Sequence, residues 1–371
     1  MDNKTYIKNI LLFVVFFLLA SAITNYMADP GNIYPKIHPQ EDKLTPKTFI
    51  AELLESKYGL FETKNTWNDR SLKKALAEYP INYDCAIIGS SHIGQISTFR
   101  DNKSLTGFCS SMKNLQVNGG TLEDYLAISN IIIKNNNFLP KTVIFGIDPW
   151  SLNFGKDKRW TLYAQDYYEM KSKLLKKSPS PELSISSKDL LINLINLQYL
   201  KRSISSIFET QSTLVTPIPA TKFNYNMGLK FPVILPDGSY IYSAEYIEKH
   251  KNDLSTLSGK HGYKIIKNSY YQDYAIEIFE KLILQLQKSQ INVIFILTPY
   301  RHQVWSNTKQ PIVKTLNIIE SKVHEIAKLN GIQVIGSYDP NILGCLENEF
   351  FDNQHAMDSC LMKLENRSIA Y

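Results

Sequence analysis

From residue 85 to residue 335 the chain alternates short, continuously apolar runs with longer segments whose apolar positions recur at spacings of three and four. The runs at 86–89, 114–117, 143–146, 292–297 and 332–335 read as five strands, and 122–134, 271–288 and 311–329 as helices with one buried face. Strands that are apolar on both faces and separated by helices predict a five-stranded parallel sheet covered on both sides, a three-layer α/β/α fold. Sites in such sheets form at the C-terminal ends of the strands.

The alternation stops at about 150 and resumes at about 268. Within that stretch, 184–208 contains an amphipathic helix pattern, and 231–242 reads as a hairpin turning on Asp237-Gly238. The stretch is expected to be an insertion that caps the site of an α/β domain spanning 81–371. Upstream, residues 28–80 read as a stalk and lead-in, turn-rich at Asp29-Pro-Gly-Asn and Ile37-His-Pro, with a polar helix around 71–78.

The first residues carry a different pattern: Lys4 and Lys8 precede an apolar run at 10–23 broken only by Ser21. Residues 1–27 therefore form a membrane anchor or a signal segment. Positive charge on the N-terminal side predicts that this end stays inside and the rest is exported, as a single-pass protein of a bacterial cytoplasmic membrane. Ala20-Ser-Ala22 fits a cleavage pattern, but residues 24–27 can extend the helix, which favours an anchor.

Composition adds bounds. With 44% hydrophobic and 20% charged residues the chain can build a globular core. Its net charge of +6 is spread over many lysines instead of forming one basic run, which argues against a nucleic-acid partner. The four cysteines, 85, 109, 345 and 360, fit no zinc motif. Export permits bridges between Cys85 and Cys109, on or beside neighbouring strands, and between Cys345 and Cys360; buried free thiols are the other reading.

Candidate chemistry lies in two places. Asp84-Cys-Ala-Ile-Ile-Gly-Ser-Ser-His92 is a buried strand ending on a small-residue turn, which points the Ser91 hydroxyl out of the sheet. His92 is a poor base for it, because adjacent side chains on such a turn diverge. Phe350-Phe-Asp-Asn-Gln-His-Ala-Met357 supplies Asp352 and His355 three residues apart, so both can lie on one side of a turn. Nucleophile, orienting carboxylate and base thus occur in the order Ser, Asp, His.

On these blocks the chain resembles the SGNH (GDSL-like) hydrolases, which have a flavodoxin-like α/β/α fold. Gly89-Ser-Ser91 stands where that family has Gly-Asp-Ser, and Val117-Asn-Gly-Gly-Thr121 matches the block whose glycine N–H helps form the oxyanion hole. Gly146-Ile-Asp148 lines up with Gly-x-Asn, and Asp352-Asn-Gln-His355 with the last block. More narrowly, the chain is similar to membrane-anchored SGNH-like proteins that act with membrane-bound O-acyltransferases on cell-envelope polymers. The resemblance covers about 84–149 and 270–366.

It implies Ser91 as nucleophile, His355 as base, Asp352 as orienter, and backbone N–H groups of Ser91 and Gly119 as the oxyanion hole. It also implies O-acyl transfer to, or esterase action on, an envelope polysaccharide or glycolipid, with no metal or organic cofactor. Asp148 departs from the family asparagine, since an ionised carboxylate has no hydrogen to donate. Asn153 and Asn118 are candidate replacement donors, and Trp150 and His302 candidate substrate contacts. The substituted Asp148 also keeps open a rival reading, an inactive scaffold that binds glycan or docks an acyltransferase.

Overall fold

The computed structural model describes the chain apart from residues 1–2, 29–44, 62–68, 101–104, 106, 156–158, 177–190, 193, 198, 202, 205–217, 222–230, 252–269 and 307–310. The turn motifs at 29–32 and 37–39 and the ends of the 184–208 pattern therefore lie outside the described residues. The chain forms two compact units, Met1–Leu44 with Pro179–Thr216, and Thr45–Ser178 with Pro217–Tyr371.

The first unit contains helix α1, Asn3–Ala28, whose hydropathy and length suffice to cross a membrane. In the second unit, helices α2 (Pro46–Glu55) and α3 (Asp69–Glu78) flank strand β1 (Leu60–Phe61). Residues 45–80, read above within a stalk and lead-in, thus belong to the folded unit. The helix at 71–78 begins two residues earlier and is not wholly polar: it buries Leu72, Ala75, Leu76 and the side chains of Arg70 and Lys73.

Next come β2 (Cys85–Ile88), β3 (Met112–Asn114), α4 (Leu122–Lys134), β4 (Thr142–Gly146) and α5 (Ala164–Leu175). The insertion supplies β5 (Ile218–Pro219), β6 (Val233–Ile234), β7 (Tyr240–Ile241) and α6 (Ala244–His250). The chain then forms α7 (Asp273–Lys288), β8 (Asn292–Leu297), α8 (Pro311–Asn330), β9 (Gln333–Gly336) and β10 (Ser368–Ile369).

The main sheet runs β10-β9-β8-β4-β2-β3. The five strands from β9 to β3 correspond to the five apolar runs and are mutually parallel, in register from Cys85↔Met112 through Ile294↔Gln333. The sheet has six strands and not five, because β10 adds antiparallel to β9 through Ser368↔Ile335 and Ile369↔Val334. Two residues are too few to carry a periodic signal, so this edge was invisible in the sequence. The second strand also sits two residues earlier than its apolar run. Beyond β3, Leu115 and Val117 still donate N–H bonds to Ile87 and Gly89 at 2.8 and 3.0 Å, so the pairing continues irregularly toward the site.

A second sheet, β5-β1-β6-β7, is antiparallel throughout. Its β6–β7 hairpin turns on Asp237-Gly238 as the sequence predicts, with Gly238 at φ 84°. The insertion does not behave as one piece. Residues 179–216 group with α1, whereas α5 packs against α4 and α7, extending the helical cover of the main sheet past residue 150. All four cysteines are bridged, Cys85 to Cys109 and Cys345 to Cys360, with Cα atoms 5.8 and 5.1 Å apart.

Candidate active site

Every residue of β2 is buried, and the chain leaves it through Gly89 into a short 3-10 turn, Ser91–Ile93. Ser90 caps that turn, its hydroxyl accepting the His92 N–H at 3.2 Å. Two glycines make the approach feasible. A Cβ on Gly89 would lie 2.9 Å from the Gly146 carbonyl, and one on Gly120 would lie 2.5 Å from the Gly89 carbonyl. The loops after β2, β3 and β4 are therefore pressed together where only hydrogen atoms fit.

Ser91 Oγ is 2.9 Å from His355 Nε2, and His355 Nδ1 is 2.7 Å from Asp352 Oδ2. The other Asp352 oxygen accepts the N–H groups of Gln354 and His355 at 2.8 and 2.7 Å. Burial opposes ionisation of Asp352, but His355 and these two backbone donors outweigh it and hold its carboxyl down at about 2. The serine, imidazole and carboxylate named from the sequence are thus joined in one hydrogen-bonded relay.

The loop carrying Asp352 and His355 is fixed at several points. Phe350 and Ala356 form an antiparallel bridge, Met357 N–H donates to Glu349 O at 2.8 Å, and the Cys345–Cys360 disulfide closes the segment. Gln95 Nε2 donates to Ala356 O at 2.8 Å, tying this loop to the serine turn. The Phe351 ring lies parallel to His355 at 5.2 Å, and the hairpin side contributes Tyr242 at 4.7 Å from Phe351.

On the β3 side, Gly119 adopts φ +62° and Thr121 caps α4. Asp124 bonds the Thr121 N–H at 2.8 Å and receives the buried Arg70 guanidinium at both oxygens, 2.8 and 2.9 Å, so α3 holds the glycine loop in place. Among the described residues, the N–H groups of Ser91 and Gly119 have no hydrogen-bond partner. They are free to donate to a developing oxyanion.

Asp148 is 1% exposed, and its Oδ1 lies 2.8 Å from Nδ1 of the equally enclosed His92. The contact is short but not aligned as a hydrogen bond, and neither carboxylate oxygen accepts one from the described residues. Tyr125, Tyr300 and Tyr338 surround this pair, their phenols pushed well up first by burial and then by the Asp148 charge. The His92 ring meets Trp150, Tyr300 and His355 edge-on at 5.5, 5.3 and 4.8 Å.

The remaining candidates lie as follows. Asn153 is buried and its amide donates to Tyr270 O at 3.1 Å, so it is committed away from Ser91. Asn118 serves through its backbone, its N–H bonding Asp69 and its carbonyl accepting from Arg70. Trp150 donates its indole N–H to Gly120 O at 2.8 Å, which makes it a brace of the glycine loop. His302 sits 3.4 Å from Glu347 and packs on Phe350 behind the triad loop; Tyr300, two residues earlier, is the residue that reaches His92. Sequence reasoning missed the roles of His92, Gln95 and Phe351. Divergence of adjacent side chains ruled His92 out as the base but said nothing of its pairing with Asp148.

No protein-family model matches the chain, and no curated protein matches it in sequence.

Proposed function

We propose that this chain is an SGNH-like serine acyltransferase or esterase acting on a hydroxyl or an acyl ester of a bacterial envelope glycan. The observation that carries the reading is the Ser91–His355–Asp352 relay, with distances of 2.9 and 2.7 Å, at the C-terminal end of a parallel strand. Helices accompanying a parallel-dominated sheet fit the three-layer, flavodoxin-like arrangement of that family.

In the proposed reaction His355 Nε2 takes the Ser91 proton as Oγ attacks the ester carbonyl. The N–H groups of Ser91 and Gly119 hold the oxyanion, and Asp352 stabilises the imidazolium. Collapse expels the alcohol, which takes the proton back from His355 and leaves an acyl-serine. A sugar hydroxyl, deprotonated by His355, then attacks the acyl carbon, and the bond to Ser91 Oγ breaks as His355 returns the proton to Oγ; water in place of the sugar gives hydrolysis. No step draws on a metal or an organic cofactor.

The apolar α1 and the two disulfides support a domain tethered outside the cytoplasmic membrane, where thiols oxidise and a membrane-bound O-acyltransferase would be a natural donor of acyl groups. A second reading, a glycan-binding or acyltransferase-docking scaffold, is favoured by one observation, a carboxylate, Asp148, set against His92 where the family places a donor. A fluorophosphonate probe separates them. Covalent labelling of Ser91, lost in Ser91→Ala and His355→Ala at unchanged melting temperature, is the expected result. A wild-type protein that resists the probe would replace the enzyme reading with the scaffold.

A further inference from the structure

Among its described residues, the first unit is packed inside out relative to a water-soluble protein. Along α1 the large apolar side chains from Tyr6 to Met27 are exposed, and the only buried residues are Ser21 and Asn25. These two are one helical turn apart and share a face. Chain from the insertion meets this face at Asn25, whose Nδ2 donates to Leu194 O at 2.8 Å, a contact spanning 169 residues of sequence.

The covering segment repeats the inversion. In 191–204 the side chains of Leu191, Ile192, Ile195, Leu197 and Ile204 are 43–64% exposed, although helical turns hold the segment together through Leu200 N–H to Asn196 O at 2.8 Å and Ser203 Oγ to Tyr199 O at 2.9 Å. Five aliphatic residues left about half exposed in so short a stretch would each forgo on the order of 1 kcal/mol of burial in water. Polar groups covered by chain, with apolar groups left outside, is the arrangement that hydrocarbon requires.

Depth agrees. Asn25 lies seventeen residues beyond Lys8, about 26 Å along a helix, close to the roughly 30 Å of a bilayer core. A helix with Lys8 at one interface therefore presents Asn25 at the other. The exposed Lys201 supplies the charged side that suits a segment lying among lipid headgroups.

We infer that residues 191–204 are a second membrane contact, seated in the phospholipid interface against the C-terminal end of α1 and sealing its two polar residues from lipid. The occupant of the aliphatic face is the bilayer itself. The inference rests on α1 spanning the membrane but not on the chemistry at Ser91. It also requires that α1 be retained, since cleavage after Ala22 would remove Ser21 and strip the helix from the segment it packs against.

The test uses the full chain in vesicles of phosphatidylcholine and phosphatidylglycerol containing phosphatidylcholine brominated either near the headgroup or near the chain end. Tryptophan fluorescence is read as the difference from the wild type. Phe16→Trp places a reporter at mid-span, and Leu197→Trp or Ile204→Trp places one on the segment. The expected result is quenching of Phe16→Trp mainly by deep bromines, and of both segment variants mainly by shallow ones. Segment variants that stay unquenched while Phe16→Trp is quenched would overturn the second contact and leave the anchor standing. An unquenched Phe16→Trp would remove the anchor, and this inference with it, without touching the triad.

Discussion

His92 Nδ1 lies 2.8 Å from Asp148 Oδ1, with both side chains almost wholly enclosed and the His92 ring 4.8 Å from that of His355. The Asp148 carboxylate is therefore engaged with an imidazole that lies beside His355. A buried carboxylate with no other partner depends on that contact, because removing one member of a buried pair strands the other.

His92→Ala should accordingly destabilise the protein by about 1–3 kcal/mol, read as a lower urea midpoint at unchanged slope. Asp148→Asn should cost about 1 kcal/mol and raise the rate of fluorophosphonate labelling, since it removes a buried negative charge from beside the residues that would meet the oxyanion. Loss of labelling in a folded Asp148→Asn variant would mean that the charge itself serves the reaction.

Acid should weaken the fold partly through Asp352. Its folded-state carboxyl is held down at about 2, below the usual value near 3.8. A depressed carboxylate contributes stability that is complete above the unfolded value and is lost as the pH falls through the folded one. The window therefore runs from about pH 4 to pH 2, and the contribution is about 2 kcal/mol. Urea unfolding at pH 5 and pH 2 should give a smaller pH-dependent loss in Asp352→Asn than in the wild type. Equal losses in the two proteins would assign the acid sensitivity to other groups.

The two disulfides should separate stability from activity. They close segments of 24 and 15 residues, so removing either with a pair of alanines should cost about 3 kcal/mol of unfolding free energy. Only the Cys345→Ala/Cys360→Ala pair should also slow Ser91 labelling, because that bridge closes the segment bearing Asp352 and His355. A Cys85→Ala/Cys109→Ala pair that slows labelling as much would show that general loosening, and not the triad loop, is responsible.

Much of the fold was written locally. Continuous apolar runs separated by helical periodicity favour parallel strands, so a parallel-dominated sheet with helices between its strands was legible before any contact was known, although the second strand was displaced and the order of the strands was not written there. Gly89-Ser-Ser91 and Asp352-x-x-His355 were legible for a similar reason. A tight turn after a buried strand needs small residues, and a three-residue spacing lets a carboxylate reach the imidazole beside it.

Other features had no local signature. The edge strand Ser368–Ile369 is recruited by the open side of β9 and not by its own propensity. The Arg70–Asp124 pair joins residues 54 apart, and an arginine in a polar-looking helix gives no sign that it will be buried. The Asn25–Leu194 contact joins the ends of a still longer loop. Spacing along the chain determined which residues could do chemistry. Whether Asp148 faces a substrate or His92, and whether Asn153 faces Ser91 or Tyr270, was decided only when separate elements closed on one another, because a buried polar group turns toward whichever partner the surrounding packing leaves within reach.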